Sequence, residues 1–153
     1  MAEPTKCIVV CVDDSDRYDA AVAAAIERAK SDGARLILYD VSAPGMWTSP
    51  RPNIWAGEGE AAVYDKPLDP VALEKLGRHQ FAVQVERARA KGVTAFGWLP
   101  KDSGGPAVAA YAASQGADLI LLPADLEPPE IAEHLRGGTT EESTQGLQVE
   151  VIG

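Results

Sequence analysis

Cationic residues are scarce: 14 lysines and arginines against 23 aspartates and glutamates leave a net charge of −9 over 153 residues. Such a surface repels a phosphate backbone or an anionic lipid headgroup instead of releasing counterions to it, so neither nucleic acid nor membrane is expected as a partner. Cysteine is scarcer still, with only Cys7 and Cys11. On an extended strand, residues four apart are separated by about 13 Å, well past disulfide reach, so both are expected to be buried, reduced thiols. Long hydrophobic runs are missing too. None approaches the ~20 residues of a membrane span. The opening Met1-Ala2-Glu3-Pro4-Thr5-Lys6 lacks a cationic start followed by an apolar stretch, so a cytoplasmic location is expected. The two histidines, His79 and His134, have no Cys, Asp or Glu at metal-ligand spacing, so both are expected to face solvent and no metal site is expected. Ser15 and Ser103 lack a neighbouring His and acid, so no catalytic residue and no enzyme activity is expected.

What is present is a core: 46% hydrophobic residues in a chain of this length suit one domain over residues 1–153. Cys7-Ile8-Val9-Val10-Cys11-Val12 is a continuous apolar, β-branched run, as in a strand covered on both faces within a parallel sheet. Asp13-Asp14-Ser15-Asp16 follows and can cap the next helix. There Val22, Ala25, Ile26 and Ala29 fall at i, i+3, i+4 and i+7. Gly33 stops that helix, and Leu36 to Val41 begins a second strand.

From Ser42 to Leu68, prolines and glycines break every period, although Met46, Trp47, Ile54 and Trp55 offer something to bury. A stretch of this length within a domain is more often a functional flap or a mobile segment than filler. Asp69-Pro70 then starts a helix expected to run to about Ala90. Val93 to Leu99 reads as a third strand, Pro106 to Gln115 as an alanine-rich helix closed by Gly116, and Ala117 to Leu122 as a fourth strand. After a short helical pattern from Glu130 to Leu135, Leu147 to Ile152 alternates apolar with polar, which places a fifth strand at an edge or under a partial cover. This order argues an α/β fold, a single doubly wound open parallel sheet with helices on both faces.

In such sheets ligands bind beyond the carboxyl ends of the strands, where the winding reverses. The residues there are Val12-Asp13-Asp14-Ser15, Asp40-Val41 and Leu122-Pro123-Ala124. Ile8-Val9-Val10-Cys11-Val12-Asp13-Asp14-Ser15 resembles the opening strand of the universal stress protein family. Gly116-Ala117-Asp118-Leu119-Ile120-Leu121-Leu122 is similar to that family's fourth strand, and Gly97-Trp98-Leu99-Pro100 to its third-strand turn. The resemblance implies an adenine nucleotide alpha hydrolase-like sheet of five strands in the order 3-2-1-4-5. It also implies a homodimer formed through the C-terminal strand and, in one branch, an ATP pocket between strands one and four. In that branch Asp13 matches a position that hydrogen-bonds the nucleoside and Val41 an apolar wall.

The family's phosphate loop runs Gly, two residues, Gly, nine residues, then Gly with Ser or Thr. Laid on this chain it starts at Ala124, passes Glu127 and ends at Gly137-Gly138, with Thr139 supplying the hydroxyl after a slip of one. Glycines let backbone N–H groups close on phosphate oxygens, and a Cβ hinders that approach. Glu127 adds a carboxylate near the phosphates, at a cost of about a few kcal/mol in a partly dry site, and Asp125 adds another.

The ordinary readings are equally concrete: Asp13 as a helix cap, Gly137-Gly138-Thr139-Thr140 as a plain loop, Ser103-Gly104-Gly105 as a turn and not an anion site, Trp47 and Trp55 as pins for the long segment. The expected function is thus a universal stress-type regulatory or binding protein with a degenerate adenine pocket, for which ATP or AMP is an optional ligand. The alternatives are a competent ATP binder or slow ATPase on the same fold, and a protein-interaction module using residues 42–68.

Overall fold

The computed structural model describes residues 6–42, 67–100, 104–126, 129–136 and 148–152. Trp47, Trp55, Ser103, Glu127, Gly137, Gly138, Thr139 and Thr140 lie outside the described residues. The elements in chain order are β1 (Cys7–Val12), α1 (Asp19–Asp32), β2 (Arg35–Asp40), β3 (Pro67–Leu68), α2 (Pro70–Lys75), α3 (His79–Ala90), β4 (Ala95–Trp98), α4 (Gly105–Ser114), β5 (Leu119–Pro123), α5 (Pro129–Arg136) and β6 (Gln148–Ile152).

They form one sheet in the order β3-β4-β2-β1-β5-β6. Without β3 this is the expected 3-2-1-4-5 order, and those five strands are all parallel. The sixth, β3, is two residues long, antiparallel to β4, and ends the irregular stretch that began at Ser42. No period-2 pattern can be read from two residues, so the sequence gives no sign of it. The alternating strand β6 lies at the other edge, with Glu150 and Val151 exposed.

Strand burial follows from the βαβ crossovers that cover both faces. Every residue of β1 is buried, and Cys7 and Cys11 are buried free thiols. On one face Gly97 of β4 approaches Phe81 of α3 and Leu73 of α2. Its neighbour Trp98 points the opposite way, stacking on Tyr111 of α4 at 4.3 Å between centroids, and Tyr111 also meets Tyr39 of β2 at 5.4 Å. So α2 and α3 cover one face, with α1 beside them, while α4 and α5 cover the other. Burying each Val, Leu or Ile of this sandwich contributes about 1.5–3 kcal/mol.

Two local expectations are corrected. The acidic run after β1 does not cap α1: its N-cap is Tyr18, with no side-chain cap bond. Asp14 instead accepts the Phe81 N–H at 2.9 Å, capping the first turn of α3 across the fold. And the helix expected from Asp69 to Ala90 is two helices, broken at Leu76-Gly77-Arg78, where Gly77 takes φ +80°. Such a left-handed residue cannot continue a helix, and glycine adopts it without steric cost.

The tight packing at Gly97 sets a first prediction. A Cβ there would lie 2.8 Å from Phe81 Cε2 and 2.9 Å from Leu73 Cδ1, both on fully buried side chains. Gly97→Ala is expected to cost about 1–3 kcal/mol in urea unfolding.

A second concerns alkali. Burial pushes the Cys11 thiol up to about 12 from 9.0. Because its folded-state value lies above the unfolded one, its contribution is intact below pH 9 and is lost as pH rises toward 12. Wild type should lose about 2 kcal/mol between pH 8 and pH 10.5 from this group alone. Urea titrations at the two pH values should show that increment absent in Cys11→Ala.

Candidate functional site

The carboxyl edge of the sheet is assembled by register. Val12 lies opposite Asp40, and the β1–β5 pairing, with Val10 opposite Leu121, carries Val12 to the level of Pro123. Thus Asp13, Val41 and Ala124, each one residue past its strand, come together at the junction of β2, β1 and β5. The Val41 N–H donates to the Val12 carbonyl at 2.9 Å, locking the first two ends together. On the third, the Leu126 N–H donates to the Pro123 carbonyl at 3.1 Å, turning the chain so that Ala124 and Asp125 are exposed while Pro123 is buried. Of the sequence-derived residues, Val12, Asp13, Val41, Pro123 and Ala124 are brought together; Gly137, Gly138 and Thr139 are among those not described.

Asp13 is 9% exposed and both its oxygens are engaged. The Ser15 hydroxyl donates to Oδ1 at 2.5 Å, and Arg17 Nη2 donates to Oδ2 at 2.8 Å. Arg17 also lies over the Tyr18 ring, 5.0 Å from its centroid. Tyr18 is buried, and its hydroxyl donates to the Asp125 carbonyl at 3.4 Å. The turn after β1 is therefore tied to the turn after β5 through Arg17 and Tyr18.

Behind Val41 sits a buried ion pair. Asp40 is fully buried; it accepts from Arg78, from the Ser42 N–H at 2.9 Å and from the Ser42 hydroxyl at 2.6 Å. Burial pushes the Asp40 carboxyl up, against the opposing pull of the Arg78 guanidinium. Arg78 also donates to Ser42 Oγ at 2.8 Å. The break between α2 and α3 is what turns Arg78 toward the end of β2. Gln84, buried on α3, donates to the Ser15 carbonyl at 2.9 Å. With the Asp14 cap, these bonds hold the ends of β1 and β2 against α3.

Sequence reasoning missed Arg17, Arg78, Gln84 and the cap by Asp14. One sign was available for the ion pair: Asp40 closes β2 after the buried run Leu36–Tyr39, and a buried carboxylate requires a partner. That partner is 38 residues away. Gly104-Gly105, weighed as an anion turn, has a packing explanation. A Cβ on Gly105 would lie 2.5 Å from His134 Cβ, so this glycine lets α4 and α5 touch. Among the described residues no group of three His, Cys, Asp or Glu could hold a metal ion, and no helix is long and apolar enough to cross a membrane.

Comparison with known proteins agrees with this architecture. Over 99% of this chain and 98% of the other, the fold is similar to that of a universal stress protein family member from Burkholderia pseudomallei, with TM-score 0.61 and 20% identity. It is similar to a universal stress protein in complex with cAMP over 97% of both chains, with TM-score 0.56 and 18% identity. It is also similar to the universal stress protein from Archaeoglobus fulgidus in complex with dAMP, over 99% of this chain and 100% of that one, with TM-score 0.53 and 13% identity. Among curated proteins none matches. The universal stress protein family profile matches residues 4–142; with that span and this sheet, the chain belongs to the universal stress protein family.

Proposed function

We propose that this protein is a regulatory or binding member of its family that takes an adenine nucleoside at the β1–β2–β5 edge, holds ATP weakly or not at all, and carries out no catalysis of its own. The observation that carries the reading is the placement of Asp13 and Val41 on adjacent strand ends, locked by the Val41–Val12 hydrogen bond at 2.9 Å. Asp13 offers a carboxylate to ribose hydroxyls and Val41 an apolar wall, 8% exposed, to the base. The complexes of relatives with cAMP and dAMP support the ligand class.

Against a triphosphate stands the start of the β5–α5 connection. Ala124 occupies the first glycine position, Asp125 is exposed beside it, and Glu127 takes the second glycine position in sequence. Each added phosphate meets carboxylates where the family pattern places backbone N–H groups. Homodimerisation belongs to the same proposal: Val151 on the edge strand β6 is 42% exposed, and an identical strand would satisfy the outer backbone groups of β6.

Thermal unfolding with adenosine, AMP and Mg-ATP tests this reading. Ligand at a hundred times Kd stabilises by about 2.7 kcal/mol, a shift of several degrees for a domain of this size. Adenosine and AMP are expected to raise Tm and Mg-ATP to raise it less. An ATP shift equal to or above that of AMP would refute the degenerate cradle, and the absence of any shift would refute the pocket.

A further inference from the structure

Independently of the nucleoside reading, we infer that the outer face of α2 and α3 is a second self-association surface, on which two copies of this chain pair α3 against α3, antiparallel, about a two-fold axis. The two helices leave an apolar groove of about 500 Å3, open to solvent and lined by Val71 and Glu74 of α2 and by Val83, Glu86, Arg87 and Ala90 of α3. Among the described residues three large hydrophobic side chains are exposed, and two of them, Val71 at 63% and Val83 at 43%, stand in this groove. Exposed apolar side chains gathered in one place mark an interaction surface, where scattered ones do not. The helix α3 buries Phe81, Val85 and Ala88 against the sheet, whereas Val83 and Ala90 face outward.

The order of residues along α3 selects a second copy as the occupant. Val83, Glu86, Arg87 and Ala90 fall at i, i+3, i+4 and i+7, on one helix face. Reversing the helix sets an acid where the base stood and one apolar residue where the other stood. In a two-fold interface the same patch serves both copies, so a patch must complement its own reversal. With the axis between Glu86 and Arg87, Glu86 meets the partner's Arg87, Arg87 meets the partner's Glu86, and Val83 meets the partner's Ala90. The small Ala90 suits a close approach of the two axes, about 8–10 Å. Arg87 gives up little to make the exchange: its ion pair with Asp19 spans 3.8 Å between side chains 40% and 41% exposed, and such pairs contribute little. Glu74, at the margin, is already held by His79 Nδ1 at 2.5 Å. Eight residues line the groove, against about 20–30 a side in a standard interface, so the association is weak and concentration-dependent. This face lies over β4, toward the opposite end of the sheet from β6, so pairing through β6 leaves it open and the two contacts can coexist.

Sedimentation equilibrium of the full chain tests the inference, using wild type, Arg87→Glu, Glu86→Arg, an equimolar mixture of these two variants, and the charge swap Glu86→Arg/Arg87→Glu. Wild-type mass is expected to double with a Kd of about 0.1–1 mM, in the weak range of small interfaces. Each single variant should weaken that step by about tenfold or more, because like charges then face each other across the axis. The mixture should regain it, since the two acids of one variant meet the two bases of the other, and the charge swap should associate as wild type does. Neither side chain is buried, so thermal unfolding of the variants should stay close to that of wild type. Association through β6 alone would be indifferent to all of these changes. Wild type that shows no concentration-dependent step at about 1 mM, single variants that associate as wild type does, or a mixture no stronger than its components would each overturn the inference while leaving the nucleoside site standing.

Discussion

Arg78→Met is expected to destabilise the protein by about 3–5 kcal/mol at pH 7, the cost of leaving a carboxylate buried without its cation. Asp40 has 0% exposure of its side chain and Arg78 13%, so water cannot replace the missing partner. Against a total folding stability of about 5–15 kcal/mol, that loss is large enough to shift a urea midpoint plainly. The pH dependence has a definite sign. Burial already raises the Asp40 carboxyl above its ordinary 3.8, and removing Arg78 takes away the main opposing pull. A carboxyl with a raised folded-state value contributes stability fully below its unfolded value and loses that contribution as pH rises through the folded one. The deficit of Arg78→Met should therefore shrink toward pH 4, and Arg78→Met/Asp40→Asn should recover part of it at pH 7, since an amide carries no charge to strand. A deficit under about 1 kcal/mol, the same at both pH values, would mean that the pair is not buried as described.

Asp13→Ala is expected to weaken adenosine and AMP by about ten- to a hundredfold, the range for removing a charged acceptor of ligand hydroxyls. Its effect on unliganded stability should be small by comparison, because its ionic partner Arg17 is 47% exposed and pairs of that kind contribute about 0–1 kcal/mol. Titration calorimetry together with urea unfolding of the same variant separates the two effects. Unchanged affinity would remove Asp13 from the site, and a collapse of stability would recast it as a structural residue.

The fold and the site differ in how far the sequence discloses them. The central strands were legible because a sheet covered on both faces demands uninterrupted apolar runs, and Cys7 to Val12 and Leu119 to Leu122 are such runs. Gly33 and Gly116 marked helix ends because both adopt positive φ, +67° in each case. Gly77 does the same at +80°, yet it stands in text whose composition continues to read as helix, with no proline to mark the stop. The break at Gly77 turns Arg78 toward Asp40, and that long-range pairing leaves no mark in the local pattern. The same holds for Asp14, which reads as a cap for the helix that follows it and caps one 67 residues on.

The strand-end residues could be named in advance because a doubly wound sheet puts its ligands at the carboxyl edge whatever the sequence. Their partners could not. The Arg17–Tyr18–Asp125 connection joins two turns more than a hundred residues apart, and only the β1–β5 pairing makes them neighbours. Arg17 was visible as a charge four residues after Asp13. Its significance appears only when the turn after β5 is placed beside it.

The central claim is the location of the nucleoside at the junction of β1, β2 and β5. Amide chemical-shift mapping of the isotope-labelled protein during an adenosine titration tests it most directly. The account predicts saturable shifts concentrated in residues 12–18, 40–42 and 124–126 (Pro123 has no amide proton). Shifts centred elsewhere, for instance on the exposed Val71 and Val83 of α2 and α3, or no saturable shifts at millimolar adenosine, would contradict it.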